Sequence, residues 1–170
     1  MRWTLTLVLV ALASLLAGCT AQVTRPDGFS EPRPGLITGG QPDATTLRQF
    51  AHDGGWRIID LRTPDEARGY DERALADELG VDYINLPIEG AEGINASNAA
   101  ALYAALVNAR GPILLHCASG NRVGALLALE AAQVRGLDPQ AALELGRRAG
   151  LRSLEPVVRE RLGLGVAAQE

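Results

Sequence analysis

The chain contains no lysine, and all sixteen of its basic residues are arginines. A nucleotide-binding loop of the Gly-x-x-x-x-Gly-Lys-Ser/Thr type is therefore excluded, because its lysine is what reaches the phosphates. Histidine and cysteine are scarce, with two of each. His52 and His116 have no nearby cysteine pair to complete a zinc site, so no metal or other cofactor is expected. The arginines form no stripe and the net charge is −4, which argues against nucleic acid as a partner. What remains is 170 residues, 47% hydrophobic and 21% charged, enough for one domain with a real core.

Long apolar runs are also few. One stands out, "WTLTLVLVALASLLAG" (Trp3–Gly18), directly behind Arg2. It is short for a permanent span and has the charged-then-apolar order of a secretion signal. Its end, "LAGC" (Leu16–Cys19), resembles the bacterial lipobox. That resemblance implies a signal peptide over 1–18 and a lipid on Cys19. With Thr20 and Ala21 following, and no aspartate, it implies attachment to the outer membrane facing the periplasm. Thr20–Pro34 is polar, proline-rich and aperiodic, so 19–34 is expected to be anchor and tether, and 35–165 the folded domain. Arg2 leaves with the signal, so acyl chains rather than basic side chains would hold the protein to its membrane. A lipidated Cys19 leaves Cys117 without a disulfide partner. An unpaired thiol outside the cytoplasm is an oxidation liability, which favours chemistry over packing as its purpose.

From Gly35 onward, strand and helix patterns alternate. "LIT" (Leu36–Thr38), "WRIIDL" (Trp56–Leu61), "DYINLPI" (Asp82–Ile88) and "ILLHC" (Ile113–Cys117) read as strands. Between them lie helical stretches: one capped by Asp43 and stopped at Gly54-Gly55, one over Asp71–Gly80, and one capped by Ser97. A helix is predicted from Arg122 to about Arg135, another from Asp138-Pro139, and a last one from about Ser153 with Pro156 in its first turn. This alternation predicts an α/β domain: a mostly parallel sheet with helices on both faces. Ligands bind beyond the carboxyl ends of such strands, and Cys117 falls at that edge.

The stretch "CASGNR" (Cys117–Arg122) joins a strand end to a helix start. Such a junction presents backbone N–H groups that the helix leaves unsatisfied. Gly120 permits a tight turn that aims them inward, and the helix terminus adds partial positive charge. Arg122 adds a planar fork matched to two oxygens of a phosphate or sulfate. Together Ala118, Ser119, Gly120, Asn121 and Arg122 form a candidate oxyanion cradle. The same field favours the thiolate of Cys117 as a nucleophile. A structural cysteine at a strand end needs neither the glycine nor the arginine. His116 is open to two readings, a group shaping the loop or a satisfied core histidine.

"HCASGNRVG" resembles the active-site loop of cysteine-dependent protein-tyrosine and dual-specificity phosphatases, whose signature is His-Cys-x-x-Gly-x-x-Arg. "GGQPDATTLRQFAHDGGWRIIDLRTPDE" and "YINLPI" resemble that superfamily's sheet elements. Within it, the match points to the phosphatase-like domain of beta-lactamase hydrolase-like proteins, over Leu36 to about Gly150. The resemblance implies a dual-specificity-phosphatase-like fold and a phosphorylated substrate, small molecule or protein. By the same resemblance Cys117 attacks phosphorus, Arg122 holds the phosphoryl oxygens, and a carboxylic acid protonates the leaving oxygen. The loop "PIEGAEGIN" supplies Glu89 as the favoured acid and Glu92 as a second, with Asp65 outside it.

Two departures stand out. The arginine comes one residue early, and Val123 replaces the usual Ser/Thr after it. The short Cys-x-x-Gly-x-Arg loop is shared with rhodanese-like sulfurtransferases, whose thiol carries a persulfide. A third reading is a module that binds oxyanions with little turnover. Against a rhodanese, the chain continues into "GLDPQAALELGRRAGL" with no further strand pattern and no tryptophan after Trp56. The lipobox carries its own test. Fractionation is expected to place the mature protein with membranes, and Cys19→Ala to release it; a wholly cytoplasmic, uncleaved wild type would refute the lipobox.

Overall fold

A computed structural model describes residues 23–165. The expected signal peptide over 1–18, the expected lipobox and Cys19 lie outside the described residues. No helix among the described residues is long and apolar enough to cross a membrane. Five strands, β1 (Ser30–Arg33), β2 (Leu36–Gly39), β3 (Arg57–Asp60), β4 (Asp82–Asn85) and β5 (Ile113–His116), form one sheet in the order β1-β2-β5-β3-β4. β2, β5, β3 and β4 run parallel, and β1 returns antiparallel on β2. Six helices accompany them: α1 (Ala44–His52), α2 (Glu72–Leu79), α3 (Ala96–Val107), α4 (Asn121–Leu129), α5 (Pro139–Arg148) and α6 (Glu155–Arg161). The expected α/β architecture, mostly parallel with both faces covered, is the one found.

The period of two along the strands sorts the core into two layers. Ile37, Ile58 and Leu114 pack against Leu47 and Phe50 of α1 and Leu75 and Ala76 of α2. Their neighbours Leu36, Ile59 and Leu115 turn the other way, onto α3, α4, α5 and α6. Local capping fixes the helix starts. The Asp43 side chain accepts from Thr46 N, Asp71 from Ala74 N, and Asp138 from Gln140 N and Ala141 N ahead of Pro139. α2 stops at Gly80, whose φ of 69° is the left-handed conformation glycine adopts without strain.

Four boundaries differ from the sequence reading. Ser30–Arg33, assigned to the tether, is an edge strand, because pairing with β2 overrides a polar, proline-flanked pattern. Asn95, not Ser97, caps α3 by accepting from Asn98 N. The helix expected over Arg122–Arg135 divides into α4 and a π-helical segment, Glu130–Val134. Ser153 starts no helix; α6 begins at Glu155, and the serine hydroxyl bonds Asn121 instead.

α4 crosses α5 at backbone contact. A Cβ on Gly124 would stand 2.5 Å from Gly146 O and closer still to Leu151 N, and one on Gly146 would stand 2.6 Å from Gly124 O. No side chain fits between these helices, so the helix that starts at the cysteine loop is braced by main chain. Gly124→Ala is expected to destabilise the domain by about 3 kcal/mol, the upper range for overpacking. Urea unfolding checks this, and an unchanged midpoint would mean that α5 is free to move aside.

Candidate active site

Three loops leave the carboxyl edge of the sheet together, after β3, β4 and β5. Cys117 follows β5 directly and is 1% exposed. Its N–H donates to Gly39 O, while Gln41 N donates to Ala118 O, so the tail of β2 clamps the first turn of the loop. Gly120 then turns at φ 85° and its N–H donates to Cys117 Sγ at 3.2 Å. The N–H groups of Ala118, Ser119, Asn121 and Arg122 find no backbone acceptor among the described residues. The loop thus gives one N–H to the sulfur and leaves four more without a backbone acceptor up to the start of α4.

Arg122 is held by all three loops. Its Nη1 donates to Ile88 O at 2.9 Å, after β4, and to Leu61 O at 3.4 Å, after β3. Nη1 and Nη2 each donate to one oxygen of Glu66 at 2.7 Å. This is a fork-to-fork pair, the strongest orientation a guanidinium can be given. Among the described residues Nε meets no oxygen or nitrogen acceptor and the Cys117 thiol stands beside the guanidinium, which leaves the Nε/Nη2 edge as a second fork for an oxyanion seated on the sulfur. The pairing with Glu66 raises the arginine pKa above its ordinary value, and the adjacent Cys117 raises it further. Glu66 is driven the opposite way, to about 2, chiefly by the Arg122 hydrogen bonds, with Thr63 N and Arg62 adding to the effect.

A cavity of about 690 Å³ opens above the loop between Pro64, Glu89, Ser119, Asn121, Arg122 and Leu154. Of the three candidate acids, Glu89 and Asp65 line it and Glu92 does not. A hydrogen bond with the Thr63 side chain holds the Asp65 carboxyl below its usual range, which makes it a poor proton donor. Asn121 belongs to the loop, but its side chain is committed elsewhere. Its Oδ1 accepts from Arg152 N and Leu154 N, and its Nδ2 donates to Ser153 Oγ, tying the α5–α6 connection to the cradle. Its backbone N–H is one of the four without a backbone acceptor. Glu66 went unnoticed in the sequence, although "TPDE" ends on it; a carboxylate 56 positions from the arginine carries no local signal.

With this geometry in view, the comparisons fall into line. Residues 34–134 match the family model "Beta-lactamase hydrolase-like protein, phosphatase-like domain". The chain belongs to this family. Through it the domain joins the cysteine-dependent phosphatase superfamily that the loop resembles. Beta-lactamase hydrolase-like proteins from two Xylella fastidiosa strains, Temecula1 and 9a5c, are each 33% identical over 98 residues, 55% of this chain. The match spans only 22% of their length. Among solved structures, a phosphatase candidate from Neisseria meningitidis Z2491 superposes with a TM-score of 0.67 at 22% identity, covering 81% of this chain and 97% of that one. A variant of P. aeruginosa TpbA in complex with pTyr gives 0.58 at 22% identity, over 86% and 100%. Tk-PTP gives 0.61 at 18%, over 82% and 99%. These likenesses establish the fold of this phosphatase-like domain.

The depressed Glu66 sets an acid window. A carboxylate with a lowered folded pKa stabilises the protein above its unfolded value and loses that contribution as pH falls through the folded one. Stability is therefore expected to drop between about pH 4.5 and about pH 2, the interval of the Glu66 shift. Glu66→Gln is expected to remove this part of the acid limb in a thermal-melt pH series; an unaltered limb would assign it to other carboxylates.

Proposed function

We propose that the domain is a cysteine-dependent phosphatase that hydrolyses phosphate monoesters through a phosphocysteine. The observation that carries the reading is the free fork of Arg122, held beside a sulfur that already accepts an N–H from its own loop. Phosphoryl oxygens seated on that fork and on the loop N–H groups put phosphorus in line with Sγ. The thiolate attacks, the P–O ester bond breaks, and Glu89 passes its proton to the leaving oxygen. Water then attacks the phosphocysteine, returns a proton to Glu89 and releases phosphate as the P–S bond breaks. The donors meet charge that grows on the equatorial oxygens in the transition state, so they lower the barrier more than they strengthen binding.

Sulfur transfer through a Cys117 persulfide is the second reading, and the short Cys-x-x-Gly-x-Arg loop favours it. The helices α5 and α6 that follow α4, with no further strand among the described residues, speak for the phosphatase. The phosphorylated substrate, the lipid anchor at Cys19 and the periplasmic location belong to the same proposal.

An aryl phosphate and thiosulfate with cyanide discriminate the two chemistries. Phosphate release is expected; thiocyanate alone would replace this reading with the sulfurtransferase, and neither product would leave an oxyanion-binding module. Arg122→Lys keeps the charge and loses the fork, and kcat/KM is expected to fall about a hundredfold, roughly 2.7 kcal/mol. Cys117→Ser is expected to end turnover while vanadate still binds. Glu89→Gln is expected to flatten the alkaline limb of the pH–rate profile; if Glu92→Gln does so instead, the acid is reassigned.

A further inference from the structure

On the α2 side of the sheet, behind the cradle, three titratable side chains lie buried: Asp60 and His116 at 0% exposure and Glu72 at 1%. Strand alternation puts Asp60 and His116 there, since Asp60 shares a face with Ile58 and His116 with Leu114, and Glu72 comes from the first turn of α2. Asp60 is saturated. Its Oδ1 accepts from Arg62 N, and its Oδ2 accepts from Arg68 and Tyr83. Glu72 is not. Gln41 Nε2 donates to its Oε2 at 2.8 Å, and its Oε1 faces only His116 Nε2, at 2.8 Å and off the line of an ideal N–H···O bond. Two ligands of one tetrahedral ion, each about 2.0 Å from it, stand about 3.3 Å apart. A separation of 2.8 Å is too short for two such ligands and is that of a direct contact between imidazole and carboxylate.

From this pair a continuous chain of side chains leads back to the arginine of the cradle. Gln41 donates to Glu72 and accepts from Arg62 Nη1 at 2.6 Å. Arg62 Nε donates to Glu66 at 3.3 Å, and Glu66 holds Arg122. Six side chains, His116, Glu72, Gln41, Arg62, Glu66 and Arg122, thus link the neighbour of the nucleophile to the phosphoryl-binding fork. Gln41 is the joint, because its amide serves one half of the chain with oxygen and the other with nitrogen, while its backbone N–H donates to Ala118 O of the loop.

We infer that Gln41 and Glu72 are positioning residues, which hold the Cys117 loop and the Arg122 fork in one register. For turnover this rests on the phosphatase reading. In the full chain, Gln41→Leu removes the side-chain hydrogen bonds to Glu72, Arg62 and Pro42 O at similar size, and Glu72→Gln keeps the shape of its side chain while removing the charged acceptor. Each is expected to lower kcat about tenfold to a hundredfold with KM within about twofold, the cost of a misplaced reacting group. Glu66→Gln combined with Gln41→Leu is expected to be no slower than the slower single variant by more than about twofold, since both cut the same chain.

Nitrogen-15 NMR of the labelled histidines reads the chain without turnover, because His52, its side chain 82% exposed, is the only other histidine. The ring-nitrogen signals of His116 are expected to move in both Gln41→Leu and Glu72→Gln while those of His52 stay put. Iodoacetate inactivation is expected to slow in both variants. Wild-type kcat and unmoved His116 signals in the variants, or full multiplication of the two rate losses, would overturn the inference. So would one-to-one zinc binding that Glu72→Gln abolishes, which would make the cluster a metal site. Absence of any phosphate release by the wild type would defeat the phosphatase reading alone, and the NMR and alkylation results would still decide the chain.

Discussion

One ion pair, Arg122 with Glu66, organises the whole carboxyl edge of the sheet. Nη1 and Nη2 give one edge of the guanidinium to Glu66, and Nη1 also reaches two carbonyls. Those contacts gather the loops after β3 and β4 onto the first turn of α4. A carboxylate this near an anion site weakens the field a phosphate would feel. The compensation is orientation: a guanidinium with one fork fixed can offer the other without rotamer loss. Glu66 is itself held by Thr63 and Arg62, so the constraint extends into the scaffold.

The two faces of the sheet divide the work. Toward α3–α6 the loop meets an apolar layer that includes Cys117 and Val123. Toward α1 and α2 the same strand ends carry Asp60 and His116, buried among arginines, tyrosines and a glutamine. Buried polar groups are tolerated when satisfied and penalised when not. Here Asp60 is bonded by Arg62, Arg68 and Tyr83, while His116 and Glu72 meet at 2.8 Å without an aligned N–H···O bond. The curated relatives embed their matching segment in a chain of which it makes up 22%. The contacts described here are all made within this domain.

Much of this was legible in the sequence, and the failures have physical causes. Strand alternation, Asp-led caps and glycine stops are local patterns, so four of the five strands and all six helices could be read from neighbouring residues. The exceptions are instructive. Ser30–Arg33 looks like linker because nothing local marks an edge strand; its partner, β2, makes it one. Asn95 outcompetes Ser97 as a cap only because the preceding turn sets the helix start. In the site, Cys117, Gly120 and Arg122 announce themselves by spacing. Glu66, Gln41 and Glu72 do not, since their meaning lies in contacts 31 to 56 positions away.

The central place of β5 also governs when this chemistry can exist. The strand pairs with β2, some seventy-seven positions earlier, and with β3, and no local hairpin brings either partner to it. Parallel, long-range pairings of this kind close late and slowly. Until they close, Arg122 has no Glu66 to aim it, and the Cys117 loop has no clamp from β2. Until the fold is complete, therefore, Cys117 is a cysteine in an open chain, without the donors and the guanidinium that stand beside it in the finished domain.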